Sequence, residues 1–119
     1  LEPVGYLNNL VDHLAPGAVV LIVVHNEQSI LRKLLRTRWP PFCLQHPQLY
    51  SPSSLEHVLN SSGLEVIEVR PTTNVFTLRH CVRMAGDLVG FGQGLARFVP
   101  PIALPIRLGN IMAVARRRD

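Results

Sequence analysis

Residues 18 to 24, AVVLIVV, form an unbroken apolar run, and five of the seven side chains are β-branched. The run is too short for a buried helix, and stiff branched side chains favour a pleated backbone. It reads as a strand. Because it does not alternate with polar residues, both of its faces should be covered, as in a parallel sheet with helices above and below. The run stops at His25 and Asn26, two polar side chains at the end of a greasy element.

Upstream, Val4, Leu7, Leu10, Val11 and Leu14 recur at spacings of three and four, which predicts a helix over residues 3 to 14. Pro3 suits its first turn, and Pro16-Gly17 ends it and turns the chain into the strand. Helix, tight turn and buried strand make half of an α/β unit.

The chain has 119 residues, of which 47% are apolar and 17% charged. That fits one globular domain and excludes a disordered chain. No apolar run reaches the roughly 18 residues that span a bilayer. Glu2 and Asp12 interrupt the first segment, so no signal peptide is expected, and Leu rather than Met at position 1 points to a longer parent protein. Cys43 and Cys81 have no metal-type spacing and make no disulfide framework. Both are expected reduced, in a cytoplasmic protein.

The net charge of +4 is concentrated in Arg32, Lys33, Arg36 and Arg38 and in Arg116, Arg117 and Arg118. No nucleic-acid motif accompanies either cluster, so a solvated helix face and a basic tail are expected, with no nucleic-acid partner.

Residues 28 to 36 predict a short helix with Ile30, Leu31, Leu34 and Leu35 inward. Residues 37 to 52 hold four prolines and the aromatics Trp39, Phe42 and Tyr50, an irregular insertion of the kind that carries binding surfaces. The stretch SPSSLEHVLNSSG predicts a helix capped by Ser51 with Pro52 in its first turn, or by a Ser53–Glu56 capping box. Its buried stripe is Leu55, Val58 and Leu59, and Gly63 ends it. LEVIEVR, residues 64 to 70, alternates and should lie near a sheet edge. Val75, Leu78, Val82, Ala85 and Val89 predict another helix, fraying or breaking after Gly86. VPPIALPI should be extended, and GNIMAVARR, residues 109 to 117, should be a last strand.

The stretches YLNNLVDHLAPGAVVLIVVHN, HPQLYSPSSLEHVLNSSGLEVIEV and LGNIMAVARR, in that order, resemble the C-terminal half of a class I S-adenosylmethionine-dependent methyltransferase. They are similar to the family's helix D with strand 5, helix E with strand 6, and strand 7. The resemblance is nearest to the ubiquinone-biosynthesis-like, broad-substrate group. It implies an α/β fold: the C-terminal half of a Rossmann-like methyltransferase sheet, strands 5, 6 and 7 with flanking helices. Residues 1–119 would then be a partial domain, the substrate-side half, with an insertion at 37–52 and a helical insertion at 75–98.

The same resemblance implies S-adenosylmethionine as cofactor in the full-length parent. It places the glycine-rich turn after strand 1, and the acidic residue ending strand 2, upstream of Leu1. No G-x-G-x-x-G occurs among these residues, and GDLVGFGQG follows a helix rather than a strand, which fails the context of a cofactor loop. The chain alone is therefore expected to be inactive and not to bind the cofactor.

Ligands of open α/β sheets sit beyond the carboxyl ends of the strands, where His25 and Asn26 follow the apolar run. Methyl transfer by direct displacement needs an aligned acceptor and, for some acceptors, a base. Imidazole titrates near neutrality, so His25 is the candidate catalytic base. The alternative is a strand-end histidine satisfied by backbone groups.

Asn26, Trp39, His46 and Tyr50 are the candidate substrate-binding residues. The resemblance implies that the HPQLYS segment folds over the acceptor; the alternative is a loop packed on the sheet. Trp39 and Phe42 line the acceptor pocket or form the loop's own small core. His13, His57 and His80 read as surface or capping residues. No trio has metal-ligand spacing, so no metal is expected.

The expected function is methyl transfer to a small-molecule or lipid-like acceptor. The competing reading is a non-catalytic interaction module that uses an exposed sheet edge and the basic patches. Membrane-surface attachment through FVPPIALPI and the basic tail is a third, weaker reading. An unpartnered edge on strand 18–24 would also favour a homodimer.

Overall fold

A computed structural model describes residues 2–41, 46, 48–90 and 93–118. The described chain is mixed α/β and divides into two compact units, Leu1–Thr72 with Gly109–Asp119, and Thr73–Leu108.

The first unit opens with α1, Pro3–Asp12. The Glu2 carboxylate caps it, accepting from the Val4 and Gly5 backbone N–H groups. β1, Val19–His25, follows the Pro-Gly turn, and α2, Ile30–Leu35, is capped by Ser29. A 3₁₀ turn over Arg36–Arg38 leads into the irregular segment. α3, Pro52–Ser61, begins at Ser51, whose hydroxyl accepts from the Ser54 backbone while Ser54 returns a bond to the Ser51 N–H. Of the two expected caps, the chain uses Ser51 with Pro52. β2, Leu64–Pro71, leaves Gly63, which takes a φ of 79°. β5, Asn110–Arg117, returns to this unit.

The sheet order is β1-β5-β2. β5 runs antiparallel to both neighbours, so β1 and β2 are parallel to each other without touching. β2 lies at an edge, as its alternation predicts, and a bulge between Val66 and Glu68 breaks that alternation, leaving Ile67 and Glu68 exposed. Leu55 and Leu59 of α3, Leu64 of β2, and Ile111, Ala113 and Ala115 of β5 form the buried core. The alanines of the middle strand leave room for the leucines above them. Leu7 and Val11 of α1, Leu14 just beyond it, and Val20, Ile22 and Val24 of β1 complete it.

Three expectations need correction here. β1 is not covered on both faces by the described residues: Val19, Leu21 and Val23 are more than half exposed, and only the alternate positions pack. Its ladder partner is antiparallel, and its other edge is unpaired among the described strands. An unbroken apolar run reports that neither face is polar, not that both are packed. In α2, Ile30 is 86% and Leu34 75% exposed, against the inward stripe expected of them. The arginines at 116 to 118 are not a loose tail. Arg116 and Arg117 complete the β5 ladder, Arg117 donates to the Leu14 carbonyl, and Arg118 to Asn60 Oδ1.

The second unit pairs β3, Asn74–Thr77, with β4, Ala103–Ile106, in an antiparallel ribbon. α4, Leu78–Val89, follows β3 directly. The expected helix from Val75 is therefore strand for its first three residues, whose β-branched and aromatic side chains suit a ladder. Nor does α4 break at Gly86. It runs to Val89 and ends where Gly90 adopts a left-handed φ of 71°. A 3₁₀ segment over Gln93–Phe98 completes this unit.

Candidate functional site

The carboxyl end of β1 is held from two sides. From β5, the Gly109 carbonyl accepts from the Asn26 N–H at 2.8 Å. From the irregular segment, Tyr50 forms a parallel bridge with Asn26. The Tyr50 N–H donates to the His25 carbonyl, and its own carbonyl accepts from the Glu27 N–H. The Asn26 carboxamide oxygen accepts from the Gln28 N–H at 2.9 Å, an Asx turn that steers the chain away from the strand. Asn26 thus shapes the turn.

His25 pairs with Asn110 in the β1–β5 ladder, and imidazole Nδ1 lies 2.7 Å from Asn110 Oδ1. With that oxygen as acceptor, Nδ1 carries the proton and Nε2 presents its lone pair. Trp39 stands edge-on to His25, with ring centroids 6.0 Å apart, and His46 does so at 4.7 Å. Trp39 is 1% exposed, and its indole N–H is buried without a hydrogen-bond partner among the described residues. Trp39 is thus a buried neighbour of the imidazole and His46 an exposed one. Phe42 lies outside the described residues.

Gly109 makes this closeness possible. Its φ is 91°, and a Cβ there would lie 2.6 Å from Ser29 Oγ. Only glycine lets the loop entering β5 press against the cap of α2 and bring Asn110 opposite His25.

Tyr50 joins this cluster through its backbone alone. Its side chain lies on the other face of β1, with Ile22 and Val24. There it lines an apolar pocket of about 280 Å³ with Tyr6, Leu7 and Val58. Its hydroxyl donates to Gln48 Oε1 at 2.6 Å, and burial pushes its pKa up. Residues alternate between faces of a strand, so His25, directly after Val24, points away from this cavity. This apolar hollow is therefore not where His25 could act.

A family model described as a methyltransferase domain matches residues 2–69, more than half of the chain. The chain belongs to the methyltransferase domain family. The match runs from the α1 cap through β1 and α3 into β2, so every element around His25 except β5 lies within it. No curated protein matches significantly.

The structure thus brings His25, Trp39 and His46 of this methyltransferase domain together and sends the Tyr50 side chain elsewhere. Sequence reasoning missed Asn110. It sits 85 residues from His25, and the only signal was its place at the start of the last strand. Among the described residues no group of three or more His, Cys, Asp or Glu side chains could hold a metal, and no helix is long and apolar enough to cross a membrane.

Proposed function

We propose that the chain is the acceptor side of an S-adenosylmethionine-dependent methyltransferase that modifies a small-molecule or lipid-like acceptor. The single observation behind this reading is the His25–Asn110 pair at the carboxyl end of β1, in a chain of the methyltransferase domain family. In this reading an acceptor hydroxyl or amine lies against Nε2 of His25. His25 accepts its proton as the acceptor atom gains the methyl group. Asn110 holds the tautomer, and the buried Trp39 lies edge-on to the ring.

The finer placement, as the C-terminal half of a Rossmann-like sheet, rests on topology. The segments similar to strands 5, 7 and 6 are β1, β5 and β2, and they adjoin in one sheet. The free edge of β1, with its exposed apolar face, suits a further strand there.

The described residues do not fit the methyl donor. A donor cradle needs a glycine turn at the carboxyl end of a strand. Gly17 precedes β1, Gly90 and Gly94 follow a helix, and the space beside Gly109 is filled by Ser29. Donor binding accordingly falls to residues other than these.

Transfer of labelled methyl groups by the full-length protein to a panel of phenolic, amine and lipid acceptors tests the reading. His25→Gln should lower turnover by about 10²-fold or more, the usual contribution of a positioned base. Undiminished transfer by the variant would remove His25 from the chemistry. The competing reading, a non-catalytic interaction module, is favoured by the same exposed edge of β1, and it predicts no transfer at all.

A further inference from the structure

In the Thr73–Leu108 unit, a cleft of about 450 Å³ lies between the start of α4 and the 3₁₀ segment Gln93–Phe98. Thr77, Arg79, His80, Arg83, Ala96 and Arg97 line it. Three guanidinium groups and an imidazole face one hollow, and no carboxylate lies in its wall among the described residues. Nor does any of the three arginines pair with an acid among the described residues. The unit as a whole carries four arginines against a single aspartate, Asp87.

This arrangement works against the fold on three counts. Arg79 occupies the first turn of α4, at the positive end of its dipole, where cations are disfavoured. Arg79 and Arg83 are four apart on the helix, the spacing at which like charges repel. Arg97 adds a third charge from across the cleft. An anion in the cleft would turn each of these repulsions into an attraction.

The side chains that line the cleft are also held in place. Arg79 Nε donates to the Val99 carbonyl at 2.8 Å, which fixes the guanidinium at the cleft wall. The Arg97 guanidinium lies 4.7 Å over the Phe98 ring. His80 stacks on Phe76, with centroids 5.4 Å apart and planes within 9°. Side chains ordered in advance lose less entropy on binding a ligand.

We propose that this cleft binds a phosphate group carried on an organic body. Guanidinium forks match the several oxygens of a tetrahedral dianion better than a single carboxylate does. The hollow is larger than phosphate alone needs, and Leu95 and Phe98 are exposed beside it to meet an apolar remainder. A soluble organic phosphate and a phospholipid headgroup share this chemistry.

The test uses the whole 119-residue chain and follows backbone amide shifts by NMR during titration with inorganic phosphate and glycerol phosphate. Saturable shifts should centre on Thr77 to Val82. Arg83→Gln and Arg97→Gln should each weaken binding about tenfold, the effect of one lost charged hydrogen bond. Arg116→Gln, on β5, should leave it unchanged.

Thermal unfolding gives a second readout. Phosphate should raise the Tm of the parent chain, whereas Arg83→Gln should be at least as stable as the parent without phosphate and gain little from it. Pelleting with phosphatidic acid vesicles, but not with phosphatidylcholine alone, supports the proposal with a lipid as the phosphate source. Saturation without pelleting supports it with a soluble source. Absence of saturation, or an affinity in the Arg83 and Arg97 variants equal to that of the parent, overturns it.

Discussion

His25 and Asn110 face each other across β1 and β5, with imidazole Nδ1 2.7 Å from the carboxamide oxygen. One side-chain pair thus sets both the tautomer of the proposed base and the register at the end of the sheet. Asn110→Ala should cost about 0.5–1.5 kcal/mol, the net worth of one hydrogen bond, measured by denaturant unfolding. Nitrogen NMR of the His25 ring should show the Nδ1–H tautomer losing population. An unchanged tautomer in Asn110→Ala would show that the pair is incidental.

Gly109 and Gly17 both have left-handed φ values, 91° and 71°, but only Gly109 is crowded. Gly17→Ala should therefore cost about 1–2 kcal/mol, the strain of an L-residue in that region. Gly109→Ala should cost clearly more, because its Cβ also meets Ser29 Oγ and displaces the α2 cap. Equal costs in thermal unfolding would mean that the loop relaxes and that Asn110 is not held as described.

The free edge of β1 and its exposed Val19, Leu21 and Val23 should pair the isolated chain with a second copy of itself. Analytical ultracentrifugation should show concentration-dependent dimers. Leu21→Lys and Val23→Lys should yield monomers with unchanged circular dichroism, since both positions face away from the core. A parent chain that stays monomeric throughout the concentration range contradicts this expectation.

Desolvation by burial raises the Tyr50 pKa above the ordinary tyrosine value of 10.0. Folding therefore favours the neutral phenol, and the unfolded chain ionises first as the pH climbs. Stability from this group is fully present below the unfolded value and is lost as the pH rises through the folded one. Unfolding free energy should fall more steeply above about pH 10 in the parent than in Tyr50→Phe. Parallel curves would show that Tyr50 is solvated.

Much of this fold could be read from local chemistry. The β1 strand follows from its branched residues, α3 from Ser51, Pro52 and Gly63, and the edge position of β2 from its alternation. The His25 position followed from where the apolar run stops. What stayed hidden depends on tertiary contact. Asn110 acquires meaning only when β5 inserts between β1 and β2. The leucine spacing of α2 was a sound helical signal, but it did not say that any surface would cover Ile30 and Leu34. α4 survives Gly86 because that residue is buried against its surroundings rather than left to fray. Val75 and Phe76 fit either a helix or a strand, and pairing with β4 decided between them.

Calorimetric titration of S-adenosylmethionine into the full-length protein and, separately, into residues 1–119 bears on all of this at once. Saturable binding is expected from the first and none from the second, if the described residues are the acceptor side, as proposed, and the donor cradle lies elsewhere. Failure of the full-length protein to bind would contradict the methyltransferase reading, and binding by residues 1–119 alone would contradict the division into donor and acceptor sides.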